Sequence, residues 1–412
     1  MTLAPRTAIV IAVLALLSLL LPLAIVLLLL AALGGAVAVD VVRARRAPAV
    51  TRVLPQIVVR GVPAELRLDV ASIRAIRLRH PRPPDVEIEP GQADGALRAT
   101  IVARRRGRHV LPAPASRVTG PLGLGAWTHR SGEAAELVVY PDLPGARRLA
   151  ASVRRGRLRD EGRRRGPLGI GTEFESVRDY LPDDDFRHIN WRAAARLGRP
   201  MSNQFRVERD RDVVCVVDCG RLMAARTGSG TRLDAAIDAA VAVAAVAEEL
   251  GDRCGTLAFA GDILRTLSPR RRGTDAVVRA LFDLEPSGID SDYQRAFRWV
   301  EGVKHAFVLV LTDVLDEAAA QPLLGALPVL ARRHTVTVAT VTDVELKELV
   351  EVEPARRIDV YRTAVALDVL ATRKRTVALL RRAGADVVEA PAFALPAACV
   401  RSYLRAKSRG LV

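Results

Sequence analysis

The sequence predicts an α/β protein with an apolar N-terminal helical hairpin, a small β-sandwich and a doubly wound parallel sheet covered by helices on both faces. Three observations lead there. The block 7–42 is almost wholly apolar and carries no charge before Asp40. Residues 49–145 hold short runs broken by Pro and Gly, several of them alternating apolar and polar residues as half-buried antiparallel strands do. From Val213 onward short apolar strands alternate with helical segments, the pattern of a parallel sheet with crossover helices. At 412 residues the chain exceeds one compact domain.

The apolar block is far longer than the roughly 20 residues one spanning helix needs. Pro22 lies near its middle, so a turn around Leu20 to Leu23 would give a short first helix and a second ending near Val42. Arg6 precedes the block and Arg43, Arg45 and Arg46 follow it. Positive charge on both flanks places both ends, and all that follows, in the cytoplasm. A cleaved signal peptide has an h-region less than half as long and a small-residue cleavage site, which is not evident here.

In the β region the expected strands include Gln56 to Arg60, Glu65 to Val70, Ile73 to Leu78, Leu97 to Ala103 and Glu136 to Tyr140. His80, His109 and His129 are far apart and read as surface or turn residues rather than ligands. The stretch 146–165 follows, rich in Arg from Arg154 to Arg165, and reads as a solvated basic linker.

In the C-terminal region, 213–408, strands are expected at Val213 to Val217, Cys254 to Ala260, Phe307 to Leu311, Thr335 to Val341 and Asp386 to Val388. Helices are expected at Arg232 to Leu250, Asp275 to Leu284, Asp292 to Val300, Asp316 to Arg332, Val365 to Ala383 and Pro396 to Lys407. Ala235 to Ala247 is apolar nearly all round, which marks a central, buried helix.

The net charge is +16, and only Lys304, Lys347, Lys374 and Lys407 are lysines. Such a balance suits anionic lipid surfaces and acidic protein partners. Single-strand nucleic-acid binders interleave aromatic platforms with their basic groove; aromatics here are 4% of residues, so no nucleic acid is expected. Cys215, Cys219, Cys254 and Cys399 form no C-x-x-C pair and read as buried thiols in a reducing compartment.

The segment 166–212 is the most distinctive. Within it Asp184 or Asp185 is expected to cap a short helix with Phe186, Ile189, Ala193 and Leu197 as its apolar stripe, ended by Gly198, with Arg187 and Trp191 four apart and able to stack. Gly169, Gly171, Glu173, Phe174, Arg178, Tyr180, Asp184, Asp185, Arg187, Ile189, Trp191, Ala195 and Arg196 follow a G-x-G-x-E-F…R-x-Y…D-D-x-R-x-I-x-W-x-x-x-A-R pattern. On those residues the chain resembles the bacterial domain-of-unknown-function family 58. Ala194 stands where that family usually has Ser, which argues against a nucleophile there. Arg106-Gly107, Gly120 to Leu124 and Val139 to Pro141 also look like the family's upstream β-domain.

The resemblance implies a membrane-tethered protein with a von Willebrand factor A-like, Rossmann-like domain, a MoxR-type AAA+ ATPase as partner, and an assembly role that extends to client or other envelope-associated proteins. Domains of that kind often hold Mg²⁺ through D-x-S-x-S, a distant Thr and a later Asp. Here Asp218 remains, Gly220 and Leu222 take the Ser positions, Ser291 or Asp290 stands for the Thr, and Asp313 follows the third parallel strand. With Arg221 between them, Asp218, Ser291 and Asp313 make a degenerate site, and no cofactor is expected.

The function expected is a membrane-anchored scaffold or adaptor that is not an enzyme. No G-x-x-x-x-G-K-[ST], H-E-x-x-H or G-x-S-x-G occurs. A hydrolase using Asp183 to Asp185 with His188 is the alternative, and a nucleic-acid-binding protein a more distant one.

Overall fold

The computed structural model describes residues 2–71, 75–156, 173–181, 184, 186–206, 211–228, 230–313, 317–353 and 355–409. The chain divides into two compact units, Met1–Tyr140 and Pro141–Val412.

The first unit opens with two apolar helices, α1 (Pro5–Leu17) and α2 (Leu23–Ala44). Pro22 is the N-cap of α2, where its missing N–H costs nothing. Among the described residues α2 is the one helix long and apolar enough to cross a membrane; α1 is apolar but shorter. Both helices are tied to one turn of the β region. Ala4 N donates to Leu124 O at 3.0 Å, and the Thr7 hydroxyl donates to the same oxygen. From the far end of α2, the buried Asp40 carboxylate accepts from Leu122 N (2.9 Å), Leu124 N (2.7 Å) and Gly125 N (2.9 Å). Glycine is required at two places here, because a Cβ on Gly120 would lie 2.3 Å from the Asp40 carboxyl carbon and one on Gly125 2.5 Å from Val41 Cγ2.

Among the described residues the first unit holds three sheets, of five, four and three strands, the largest including Thr2–Leu3 at the start of the chain. The four-stranded sheet, Val50–Val53, Ala64–Val70, Leu97–Ala103 and Val86–Glu89, alternates buried and exposed residues along its strands. Its inward Leu66, Leu68, Ile88 and Ile101 share one core with Leu78 and Val118 of the five-stranded sheet and Leu137 and Val139 of the three-stranded sheet. Leu97–Ala103 forms as expected; Gly107–Leu111, Ala115–Thr119 and Gly125–Arg130 are strands that the pattern did not single out. His80 corrects the surface reading: it is buried, its Nδ1 2.8 Å from Pro81 O. His129 Nε2 lies 2.8 Å from Ala44 O, and His109 Nε2 lies 2.9 Å from Arg105 O.

The second unit begins at Pro141, just before the stretch expected to be a linker, and its first helix runs into that stretch. Leu143–Arg154 is a helix, α3, capped by Asp142, whose carboxylate accepts from Gly145 N. Its Ala146, Ala150 and Val153 stripe is buried and it packs on the Ala-rich helix α5 (Arg232–Glu249), with Arg154 reaching Glu249 at 3.5 Å. The Arg run hid an amphipathic helix whose apolar residues are small. Residues 157–172, the rest of that expected linker and the start of the signature, lie outside the described residues.

The main sheet has six strands: β1 (Asp212–Asp218), β2 (Arg253–Phe259), β3 (Ile263–Arg270), β4 (Ala306–Leu311), β5 (Thr335–Val341) and β6 (Asp386–Ala390). Their order is β3-β2-β1-β4-β5-β6, all parallel except β3, which pairs antiparallel with β2. β3 was missed by the sequence reading because Leu264, Arg265 and Thr266 leave it half-exposed at the edge, without a continuous apolar run.

α5 (Arg232–Glu249) is buried from Arg232 to Ala247 save Asp238, as its all-round apolar character predicts. It packs with α11 (Leu395–Ser408) and α6 (Thr274–Leu281). A separate core joins Val214, Val216, Val308 and Val310 to α7 (Tyr293–Glu301), α8 (Glu317–Ala331) and α10 (Arg357–Arg382). Between β5 and α10 lies a short helix absent from the expected list, α9 (Val344–Glu351), and α10 starts eight residues earlier than expected. All four cysteines are buried and none forms a disulfide.

Candidate functional site

In a sheet of this order the strand sequence reverses between β1 and β4, and their C-terminal ends frame the crevice where such sheets bind ligands. Asp218 is the last residue of β1; Thr312 and Asp313 directly follow β4. All three are buried.

Asp218 is the hub of a hydroxyl network. Its Oδ1 accepts from Gly220 N at 2.7 Å and from the Ser291 hydroxyl; its Oδ2 accepts from Thr312 Oγ1 at 2.6 Å and the Tyr293 hydroxyl at 3.0 Å. The Tyr293 and Thr312 hydroxyl oxygens lie 2.8 Å apart; each has one hydrogen, and both are directed at Asp218 rather than at each other. Burial, followed by the Asp218 charge, drives the Tyr293 phenol well above its ordinary pKa, so it remains a donor. Gly220 has a steric reason: a Cβ there would lie 2.0 Å from Ser291 Oγ. Ser291, carried in from the loop before α7, thus takes the space a side chain at 220 would need.

Asp313 belongs to a second network. Arg232, the first residue of α5, pairs with its Oδ2, and Thr340 at the end of β5 donates to its Oδ1 at 3.2 Å. Arg373 of α10 lies 4.0 Å from Oδ1 and donates to Thr340 Oγ1 (2.8 Å), Val341 O (2.5 Å) and Glu389 Oε1 (3.3 Å). Both guanidiniums are buried, and burial lowers the pKa of each. A capping box of Thr231 and Asp234 fixes the first turn of α5 and so aims Arg232 at Asp313.

The structure therefore joins Asp218 to Ser291 and assigns Asp313 to separate partners. The other expected stand-in, Asp290, pairs with Arg221 at 2.9 Å on the surface. Arg232, Tyr293, Thr340 and Arg373 were missed by the sequence reading; the one available signal was a charged residue on an otherwise apolar helix face.

The signature segment forms its own small motif. Glu173–Asp179 pairs antiparallel with Met201–Arg206. Arg178 Nη2 meets Asp184 Oδ1 at 2.5 Å, Leu181 N donates to Asp184 Oδ2, and the Tyr180 hydroxyl donates to Asp184 O at 3.1 Å. Asp184 is thus the clamp of a turn, its carboxyl held low by Arg178 first and the Leu181 N–H second. The helix expected to start at Asp184 or Asp185 is shorter. A 3₁₀ turn at Phe186–His188 precedes α4 (Trp191–Leu197), and the cap is Asn190, which accepts from Ala193 N at 2.9 Å and donates to Asn203 at 2.8 Å. Gly198 ends the helix in the left-handed region at φ 68°. The expected apolar stripe is not buried: Phe186 and Leu197 are exposed, as are Trp191 and Arg196. Gly169, Gly171 and Asp185 lie outside the described residues, as do the side chains of Glu173, Phe174 and Arg187.

The fold and these two clusters define a mixed α/β protein with an apolar N-terminal helix. A family model described as "Protein of unknown function DUF58" matches residues 176–382, half of the chain, and the protein belongs to that family. Its curated relatives include uncharacterized proteins of Mycobacterium tuberculosis and Mycobacterium bovis, each 26% identical over 223 residues, covering 48% of this chain and 69% of the relative. Among solved structures, a superoxide reductase (neelaredoxin) from Ignicoccus hospitalis matches 22% of this chain and 79% of its own at 17% identity, with a TM-score of 0.15. The SrpA adhesin of Streptococcus sanguinis matches 37% of this chain and 78% of its own at 13% identity, with a TM-score of 0.17.

Proposed function

We propose that this protein is a membrane-anchored cytoplasmic adaptor whose second unit is a von Willebrand factor A-like domain that docks a MoxR-type AAA+ ATPase. The observation that carries the reading is an exposed apolar arm at the same end of the sheet as Asp218 and Asp313. α9 follows directly on β5, has no buried residue, and is pinned to α10 by the Thr363 hydroxyl donating to Leu349 O. α10 is 26 residues and so about 39 Å long, yet its first buried residue is Ala366. Leu349 of α9, Val352 just after it, and Ile358, Val360, Tyr361 and Val365 of the free portion of α10 are all exposed, with Tyr361 at 71%. A group of large apolar residues of this kind marks an interaction surface, and Tyr is a residue on which binding energy concentrates.

The antiparallel edge strand, the helices on both faces and Asp218 at the end of the central strand support the von Willebrand-like assignment. A two-pass anchor is supported by the shared turn: Ala4 at the start of α1 and Asp40 near the end of α2 both bond to Leu124, so the chain leaves and returns at one place. Arg6, Arg43, Arg45 and Arg46 at that place favour the cytoplasmic side. The saturated Asp218 and the clamp role of Asp184 favour binding over hydrolysis.

The test is capture of the organism's MoxR-type ATPase by the full chain purified in detergent. Tyr361→Ser with Val365→Ser is expected to weaken capture by about 30-fold or more, the scale of one central aromatic anchor, without lowering the melting temperature. Equal capture by the variant would remove the arm from the interface. No capture of any such ATPase would end the adaptor reading.

A further inference from the structure

Two carboxylates and a serine at the C-terminal edge of a parallel sheet are hard oxygen donors of the type that suits Mg²⁺. The residues present do not fit that ion. A carboxylate offers about four lone-pair sites, and the four donors Gly220, Ser291, Tyr293 and Thr312 occupy those of Asp218. Asp313 is held by the Arg232 guanidinium, with Arg373 4.0 Å from its other oxygen. A dication here would stand beside two buried positive charges. A serine at position 220 would place its Cβ 2.0 Å from Ser291 Oγ, so it could enter only by displacing the Ser291 hydroxyl from Asp218.

We infer that Arg232 and Arg373 are the resident cations of this edge, neutralising Asp313 in place of a divalent ion, and that the edge keeps its shape without metal. Arg232 is delivered by the capped first turn of α5 and Arg373 by α10, so the charge comes from helices of both layers. Arg373 is on the same helix that begins as the exposed arm, and its bonds to Thr340, Val341 and Glu389 tie that helix to the ends of β5 and β6. The edge is fixed by side chains of the chain itself, and its geometry is independent of Mg²⁺ concentration.

The experiment uses the full chain in detergent and needs no partner. Manganese is the probe: the amplitude of the free Mn²⁺ paramagnetic resonance signal is compared for the native chain and for Asp313→Asn, beside melting curves in millimolar Mg²⁺ or chelator. The two chains are expected to leave the same free Mn²⁺, and the native melting temperature to move by less than about 1 °C, far below the shift a saturating ligand gives. Uptake of Mn²⁺ by the native chain that Asp313→Asn abolishes would overturn the inference.

A second arm measures the charge pairing itself. Arg232→Met orphans a buried carboxylate and is expected to lower the melting temperature by about 5 °C or more, and Arg232→Met with Asp313→Asn to regain about half of it. If the two losses simply add, Arg232 is not the counter-charge. Should Arg232→Met fail to fold, recovery of a folded protein in the double variant supports the pairing, and failure of both counts against it.

Discussion

Asp218→Asn isolates what the charge at the end of β1 contributes. The carboxylate accepts four hydrogen bonds, from Gly220 N, Ser291, Tyr293 and Thr312. Bonds to a charged group contribute about 1.5–3 kcal/mol each against roughly 0.5–1.5 for neutral ones, so neutralising the hub forfeits about 1 kcal/mol per bond. Two effects offset part of that sum. A neutral amide is cheaper to bury, and the Tyr293 and Thr312 hydroxyls can rotate to accept from the new NH₂. The net loss is about 2–3 kcal/mol, or roughly 4–12 °C in melting temperature for a domain of this size. Asp218→Ala leaves all four donors facing a void and is expected to cost more, about 3–5 kcal/mol. Ser291→Ala removes one donor and is expected to cost about 1 kcal/mol. Differential scanning fluorimetry of the three variants in detergent gives the order Ala, then Asn, then the serine change. An Asn variant within about 0.5 kcal/mol of the native protein, or a serine change as costly as Asp218→Ala, would refute the hub.

Three further outcomes follow from the same contacts. Gly120→Ala drives a methyl into the Asp40 carboxyl and is expected to cost about 1–3 kcal/mol, read as a lower melting temperature. A melting temperature within 1 °C of native would show that the turn is not packed against α2 as described. His334 is buried, and burial first, then His305 and Arg333, hold its pKa below the ordinary histidine value, with Glu301 opposing. Its folded state binds fewer protons than its unfolded state, so stability is full above about pH 6.5 and declines as pH falls below it, until the folded-state pKa is passed. His80, lowered mainly by burial, acts in the same direction. Urea unfolding across pH 5 to 8 should show a shallower acid decline in His334→Leu; an identical slope would acquit the residue. The thiols of Cys254 and Cys399 are pushed up, by the Cys215 hydrogen bond and by burial respectively, so an aromatic disulfide reagent should label neither until the protein unfolds.

Sequence by itself determined the alternation of strands and helices, because a strand buried on both faces must be apolar throughout and Val213 to Val217 and Phe307 to Leu311 are. It also determined the burial of α5, whose small side chains leave no polar face. It gave the apolar N-terminal block and the family signature. Tertiary structure alone decided what those chemical groups do. The edge strand β3 and helix α3 carry weak patterns, since the first is half-exposed and the second buries only small residues behind a surface of arginines. The cap of α4 fell to Asn190 rather than Asp184, because Arg178 and the Leu181 N–H already engage that carboxylate.

The sheet edge shows the division most clearly. Spacing alone puts Asp218 and Asp313 after two strands, but the strand order is what makes those strands neighbours at the reversal point. Arg232, Tyr293, Thr340 and Arg373 reach the edge from four other elements, separated from the aspartates by up to 155 residues of chain. No local pattern records such encounters, and packing creates them. Charge on a mostly apolar helix face looked incidental in the sequence; in the fold it is the counter-charge of a buried carboxylate.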